Sequence, residues 1–197
     1  MSLRSFIAVQ LDPQNHAALG TLIRRLQQEL PSDKIKWVSP ATIHLTLKFL
    51  GDVQDNLIVD LSRRLSETVA LFDPFAFVIS GLGCFPPRGP ARVLWCGIHE
   101  GTEDLRALAE AIDQACGELG FDLEHKRFTP HLTLARIKDP RTGHEIREYI
   151  EALSPAQAGI FQDLGSQEVS EIALMHSQLD RSGPTYTPMH RAALGAN

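Results

Sequence analysis

Apolar residues alternate with polar ones, or form short continuous runs, at regular intervals along the chain, and this pattern predicts a series of β-strands. The predicted strands cover residues 5–11, 35–38, 43–50, 75–79, 92–98, 131–137, 168–176 and 185–191. Between them, apolar residues spaced three and four apart predict amphipathic helices. These helices run from Asp12-Pro13 to about Leu30, over 57–69, over 105–119 and over 144–152.

The order of these elements indicates the fold class. Several strands follow one another without an intervening helix, as at 75–79 and 92–98, which the segment GLGCFPPRGP joins as a hairpin with an extended tip. A doubly wound parallel sheet would need a helix between successive strands. We therefore predict an α+β fold with two largely antiparallel sheets flanked by helices. In this fold, residues 1–197 form one domain made of two similar lobes that face each other.

Composition and charge narrow the class of protein. An apolar content of 43% suits a globular chain, and no run of about eighteen apolar residues predicts a membrane helix. The cysteines Cys84, Cys96 and Cys116 fit neither a disulfide framework nor a CxxC motif, so we expect a cytoplasmic protein. A net charge of −5 disfavours general binding to duplex nucleic acid. Recognition of one terminal nucleotide stays open, because residues 126–141 hold five basic side chains and one acidic side chain.

The tetrapeptide His-Leu-Thr-Leu occurs twice, beginning at His44 and again at His131. Side chains at positions i and i+2 of a strand point to the same face. Each motif therefore presents a histidine and a threonine together, with Thr46 beside His44 and Thr133 beside His131, while the leucines point into a core. Two simpler explanations compete with a shared site. In the first explanation, the motifs are exposed polar strand edges. In the second, they are the remains of a duplication that preserved the sequence without a site.

Two histidines and two threonines around one point can cleave a phosphodiester without a metal. An imidazole with an ordinary pKa of about 6.5 can be neutral at the pH at which its partner is protonated. One ring accepts a proton from water and the other donates a proton to the leaving oxygen, while the hydroxyls and an arginine bind the phosphoryl oxygens. Simple alternation turns Arg136 away from His131. A bulge must re-aim Arg136, or Arg127 or another basic residue takes its role.

The chain resembles the two-histidine (2H) phosphoesterases, and among them the bacterial and archaeal RNA 2′,3′-cyclic phosphodiesterases, also called 2′-5′ RNA ligases. The matching segments span nearly the whole chain in the expected order. They are RSFIAVQL at the start, WVSPATIHLTLKFLG at 37–51, FPPRGPARVLWCG at 85–97, KRFTPHLTLAR at 126–136 and YTPMHR at 186–191.

The resemblance implies a bilobal, pseudo-twofold fold and hydrolysis of RNA 2′,3′-cyclic phosphate ends to 2′-phosphomonoesters, with 2′-5′ joining as a related reverse reaction. It implies that His44 is the proton donor, that His131 is the proton acceptor, and that Thr46, Thr133 and Arg136 bind the substrate. The expected partners are RNA ends with a 2′,3′-cyclic phosphate or cyclic nucleotides, with no membrane partner, and the protein is expected to be a monomer. Two alternatives stay open: a non-catalytic module that binds nucleotides or RNA ends, and a phosphodiesterase for a small cyclic phosphate such as an ADP-ribose cyclic phosphate.

Other signals in the sequence add little chemistry. The remaining histidines show neither an HExxH motif nor the spacing of a zinc site, and no dinucleotide-binding loop is predicted, so no metal and no cofactor is expected. Trp37, Phe85 and Phe128 are candidates for stacking on an RNA base, although core packing explains each of them more simply.

Overall fold

A computed structural model describes residues 2–153, 161, 163–180 and 183–195 of the protein. Within these residues the chain forms nine strands and four α-helices. The strands are β1 (Ser2–Gln10), β2 (Ile35–Trp37), β3 (His44–Gln54), β4 (Phe75–Phe85), β5 (Val93–Ile98), β6 (His131–Ile137), β7 (Gly165–Val169), β8 (Glu171–Asp180) and β9 (Gly183–Ala193). The helices are α1 (Pro13–Glu29), α2 (Ile58–Val69), α3 (Thr102–Gly117) and α4 (Pro140–Glu151).

All recorded strand pairs are antiparallel and belong to one sheet with the order β7-β4-β5-β6-β3-β1-β8-β9, with β2 also paired to β6. The predicted α+β class and antiparallel pairing are confirmed. The expected two sheets are instead two halves of one curled sheet, because β3 and β6 pair at Leu45 and Leu132. We call β3-β1-β8-β9 the first half-sheet and β7-β4-β5-β6 the second half-sheet.

The helices cover one face of this sheet. Buried residues from all four helices, among them Leu19, Leu61, Leu105 and Ile146, pack in one cluster with strand residues such as Leu45. The opposite face, which we call the open face, carries a smaller cluster in which Tyr186 packs against buried Phe6, Ala8, Ala173 and Met175. A sheet with one covered face leaves its other face available for a site. No helix of the described residues is long and apolar enough to cross a membrane.

Several strands are longer than predicted, among them β1, which begins at Ser2, and β3, which ends at Gln54, and two further differences change the connections between strands. β4 continues to Phe85, through residues predicted as part of a loop, because Cys84 and Phe85 pair with Leu94 and Val93 of β5. The predicted strand at 168–176 is two strands, β7 and β8, which part at Ser170. Pairing with neighbouring strands fixed both boundaries, and this pairing is not visible in a local apolar pattern.

Helix α4 begins four residues before the predicted start. Asp139 is its N-cap, and the Asp139 side chain accepts a hydrogen bond of 2.7 Å from the Thr142 N–H. Pro140 occupies the first helical position, where its missing N–H costs no hydrogen bond. The pair Asp139-Pro140 is therefore a helix-start signal that was present in the sequence. The spacing of the apolar residues alone predicted a start that lies too far along the chain.

Candidate active site

The two His-Leu-Thr-Leu motifs lie side by side on neighbouring strands. β3 and β6 run antiparallel and pair through Leu45 and Leu132, so His44 lies across from Thr133, and Thr46 lies across from His131. Each leucine is buried on the helix side, whereas the histidines and threonines are half-buried on the open face. Diagonal neighbours in such a pair are about 7–8 Å apart. This crosswise arrangement brings two imidazoles and two hydroxyls around one point.

A β-bulge in β6 turns Arg136 towards the same face. Thr133 pairs with Trp95 of β5, but the next pair joins Ala135 to Leu94, so β6 has one extra residue at this point. The extra residue shifts the alternation, because two consecutive side chains, at 134 and 135, are then buried. Arg136 follows as an exposed residue on the open face. Strand alternation alone would point Arg136 away from His131, and the bulge in β6 reverses this direction.

The first motif contains the equivalent bulge. Thr46 pairs with Ala8 of β1, and the next pair joins Lys48 to Ile7, which leaves Leu47 as the extra residue of β3. Phe49 then takes the position that Arg136 has in the second motif, and 64% of Phe49 is exposed. The two halves thus repeat one backbone design but place a cation on one side of the site and an aromatic ring on the other.

Aromatic rings and one backbone carbonyl fix the His44 ring. Phe6 stacks on it with ring centroids 4.6 Å apart, and Tyr186 meets it edge-on at 5.0 Å. His44 Nδ1 lies 2.9 Å from the carbonyl oxygen of Thr42, in the turn that precedes β3. His16 of α1 contacts that turn, with its Nδ1 2.7 Å from the Pro40 oxygen.

The surroundings of His131 follow the same plan. Phe85 meets the His131 ring edge-on at 5.0 Å, and Trp95 lies against it at 6.3 Å. His131 Nδ1 lies 2.7 Å from the carbonyl oxygen of Thr129. Gly83 makes room for Trp95, because a Cβ atom at this position would lie 2.2 Å from the indole ring. The bare backbone of Gly83 therefore helps to hold the ring that supports His131.

The hydrogen bonds at Nδ1 define the state of both rings. A carbonyl oxygen only accepts hydrogen bonds, so each Nδ1 carries a hydrogen, and the Nε2 atom of a neutral ring is left with a free lone pair. Burial lowers the pKa of both His44 and His131, the backbone carbonyl partly opposes this shift, and the positive charge of Arg136 lowers both pKa values further. Both rings can therefore act as proton acceptors at neutral pH, and Arg136 acts electrostatically on both.

Comparison with known proteins gives the family. The family model of the 2′-5′ RNA ligase superfamily matches residues 7–181. The chain belongs to this superfamily. The match includes both histidine motifs and all of the strands that carry them.

Curated members of the superfamily are similar over nearly the full chain. A protein of Methanothermobacter thermautotrophicus named RNA 2′,3′-cyclic phosphodiesterase is 35% identical over 191 residues, which are 96% of this chain and 97% of that protein. A protein of the same name from Aquifex aeolicus is 34% identical over 163 residues, 81% of this chain and 82% of that protein.

Solved structures agree on the superfamily fold. The crystal structure of TT0787 from Thermus thermophilus has a TM-score of 0.78 and 29% identity, and the alignment covers 98% of each chain. The structure of Escherichia coli LigT complexed with 3′-AMP has a TM-score of 0.75 over 98% of this chain and 99% of that chain. The two sequences are 24% identical, so this similarity is evidence for the fold alone.

The structure of this superfamily member brings His44, Thr46, His131, Thr133 and Arg136 to one face. Arg127, the alternative to Arg136, lies exposed in the loop before β6, and its charge is not among those that shift the pKa of either histidine. Of the three aromatic candidates, Phe85 contacts His131, whereas Trp37 and Phe128 pack against the core.

Sequence reasoning missed the aromatic residues on the His44 side. Phe6 and Tyr186 both lie in segments that carry the family resemblance, RSFIAVQL and YTPMHR, so a signal for them was available. Phe49 also lies in such a segment, WVSPATIHLTLKFLG, but its place on the open face depends on the bulge, which strand alternation alone does not predict. Among the residues that the structure describes, no group of three or more His, Cys, Asp and Glu side chains could hold a metal ion.

Proposed function

We propose that the protein hydrolyses 2′,3′-cyclic phosphate ends of RNA to 2′-phosphomonoesters by general acid–base catalysis. The observation that carries this proposal is the crosswise pairing of two identical His-x-Thr motifs on one open sheet face. The names of the similar proteins from Methanothermobacter thermautotrophicus and Aquifex aeolicus support the same activity.

The proposed reaction is an in-line attack of water on the cyclic phosphate. His131 Nε2 takes a proton from the water, the water oxygen forms a bond to phosphorus, and the bond from phosphorus to O3′ breaks. His44 Nε2 donates a proton to the departing O3′. The products are a 2′-phosphate and a free 3′-hydroxyl, and proton exchange with solvent returns both rings to their starting states. Each proton transfer of this kind contributes about 10²- to 10⁴-fold in rate.

The two Nδ1 hydrogen bonds support these roles. They hold each ring in the tautomer whose Nε2 faces away from the backbone, which suits His131 as a base in its neutral form. The negative charge of a bound phosphate favours a protonated His44 and so offsets the lowering of its pKa by burial. The choice of His44 as donor and His131 as acceptor rests on the family resemblance, since the two surroundings are closely similar.

Thr46, Thr133 and Arg136 complete the proposed site. The threonine hydroxyls donate hydrogen bonds to the non-bridging phosphoryl oxygens, and the guanidinium of Arg136 stabilises the negative charge that develops on them. A 5′-hydroxyl of a second RNA in place of water would form a 2′-5′ linkage by the same attack on phosphorus. The same proposal places the protein in the cytoplasm, where Cys84, Cys96 and Cys116, all free thiols in the structure, stay reduced.

The test is incubation of the purified protein with a short RNA that ends in a 2′,3′-cyclic phosphate, with a chelator present throughout. We expect a 2′-phosphate end, identified by ³¹P NMR of the product. His44→Ala and His131→Ala should each lower kcat by at least about 10³-fold, and the double variant should be hardly slower than either, because the pair acts as a unit.

His99→Ala is the matched control, because His99 is exposed and lies outside the site. It should retain full activity. A 3′-phosphate product, or full activity in either single variant of His44 and His131, contradicts the proposal. Binding of the RNA without turnover would support a non-catalytic end-binding module instead. A kcat/KM that is much higher for an ADP-ribose cyclic phosphate than for the RNA would identify a small-molecule substrate.

A further inference from the structure

A cavity that the proposed reaction does not use is lined by Phe49, the neighbour of Phe6 in the candidate site. It is a groove of about 550 Å³ between the middle of β3 and the loop that follows α3. We call it the β3–α3 groove. It is lined by Phe49, Leu50 and Gly51 on one side and by Gly120, Phe121, Asp122, Leu123, Glu124, His125 and Lys126 on the other. Its volume lies within the range of about 300–1,000 Å³ that is typical of sites for small ligands.

Phe49 connects this groove to the candidate active site. Phe49 pairs with Phe6 across β1 and β3, and their ring centroids are 6.2 Å apart. Phe6 also stacks on the His44 ring, with ring centroids 4.6 Å apart. Phe49 itself is 64% exposed, although it is a large apolar residue. An exposed ring at the boundary between a phosphate site and a groove is a platform on which a base of single-stranded RNA can stack.

Buried contacts fix the outer wall of the groove. The Lys48 ammonium, directly before Phe49, forms an ion pair with Asp113 of α3 and donates a hydrogen bond of 2.8 Å to the Asp122 carbonyl. The other oxygen of the Asp113 carboxylate accepts a hydrogen bond of 3.1 Å from the Glu124 N–H. The loop over 120–124 is therefore anchored from inside to the strand that carries His44, so the groove and the site keep a fixed relation.

The charges of the groove select the class of ligand. The carboxylates of Asp122 and Glu124 repel a duplex or a run of phosphates. At one end of the groove, His125 and Lys126 provide exposed hydrogen-bond donors. Arg127 continues this basic end towards the second motif. One phosphodiester beside Lys126, with an uncharged base in the rest of the groove, fits this distribution of charge.

We propose that the β3–α3 groove binds the nucleotide that precedes the cyclic-phosphate end of a single-stranded RNA. Its base stacks on Phe49, and the phosphodiester that it carries contacts His125 and Lys126. This inference rests on the proposed function. It predicts that the enzyme prefers an RNA end to a cyclic mononucleotide, because a mononucleotide leaves the groove empty.

The test compares two substrates, a 2′,3′-cyclic mononucleotide and the dinucleotide with the same 3′-terminal nucleotide. The measured quantity is the ratio of kcat/KM for the dinucleotide to kcat/KM for the mononucleotide. We expect a ratio of about ten or more for the natural chain, the gain that one stacked base supplies. Lys126→Glu and Leu123→Asp should each reduce this ratio by about tenfold. The salt dependence of kcat/KM should be steeper for the dinucleotide, with a difference in log–log slope of about 0.7, and Lys126→Glu should remove that difference.

Lys138→Glu is the matched charge reversal, since Lys138 is exposed and lies outside the groove. Its ratio should equal that of the natural chain. A ratio near one in the natural chain, or unchanged in both groove variants, overturns the inference while leaving the proposed function intact. If neither substrate is hydrolysed, the proposed function fails separately. In that case calorimetry measures the Kd of a 2′-phosphate-ended dinucleotide and the Kd of the 2′-phosphate mononucleotide. The ratio of these two Kd values then tests the groove without catalysis.

Discussion

Leu45 and Leu132 form the pair through which the two half-sheets join, and both side chains are completely buried. Each leucine lies between the histidine and the threonine of its motif. The same pair therefore holds the core together on one face and sets the crosswise position of the catalytic candidates on the other.

Truncation of either leucine should destabilise the protein strongly. We expect Leu45→Ala and Leu132→Ala each to lower the free energy of unfolding by about 2–5 kcal/mol, because each leaves a cavity in a closed core. Urea unfolding measures this loss. The double variant should depart from additivity by at least about 0.5 kcal/mol, since the two side chains are in contact. Leu179→Ala is the control: Leu179 is 78% exposed, and its loss should change stability by less than about 0.5 kcal/mol.

Stability should decrease below neutral pH because of the two site histidines. Burial lowers the pKa of His44 and His131 in the folded state, whereas both rings titrate near about 6.5 in the unfolded chain. Between these pKa values the unfolded state binds more protons, so the free energy of unfolding falls as the pH decreases from 6.5 towards the lowered folded values. Urea unfolding between about pH 7.5 and 5 measures the slope.

The control for this pH dependence replaces the rings but keeps a hydrogen-bond donor. The double variant His44→Asn/His131→Asn should show a shallower decrease of stability with falling pH, while His99→Asn should keep the slope of the natural chain. An unchanged slope in the double variant would mean that other groups cause the acid destabilisation.

Arg136→Gln should raise the pKa of both site histidines. The Arg136 charge disfavours protonation of each ring, so its removal makes each ring easier to protonate. NMR titration of the imidazole Hε1 signals measures both pKa values without any substrate. The same variant should lower kcat/KM by about 10²- to 10³-fold if the guanidinium stabilises the transition state. Arg127→Gln is the matched control and should leave both pKa values in place. Equal shifts in the two variants would show that Arg136 has no special position.

Local patterns in the sequence were sufficient for the parts of the site that follow strand alternation. The burial of Leu45 and Leu132, and the outward position of the histidines and threonines between them, follow directly from a period of two. The antiparallel α+β architecture follows from the succession of strands without helices.

Features that depend on the neighbouring strand could not be predicted in the same way. The bulges before Phe49 and Arg136 arise from the register of β3 with β1 and of β6 with β5, and a single strand does not encode that register. For the same reason the expected two sheets proved to be one. Lys48 is a further example, because an isolated lysine in an apolar strand indicates an exposed position until its partner Asp113 is known.

Lys48→Met should destabilise the protein by about 3 kcal/mol, because it leaves the Asp113 carboxylate without its buried partner. Only 2% of the Lys48 side chain and 14% of the Asp113 side chain are exposed, so water replaces little of the lost interaction. Thermal and urea unfolding measure the change. Replacing both partners, as in Lys48→Met/Asp113→Leu, should recover part of the loss, since no unpaired charge then remains. Lys34→Met is the matched control: Lys34 and Asp33 form an exposed pair, and its loss should have no measurable effect. Equal stability of Lys48→Met and Lys34→Met would show that the buried pair does not anchor the loop over 120–124.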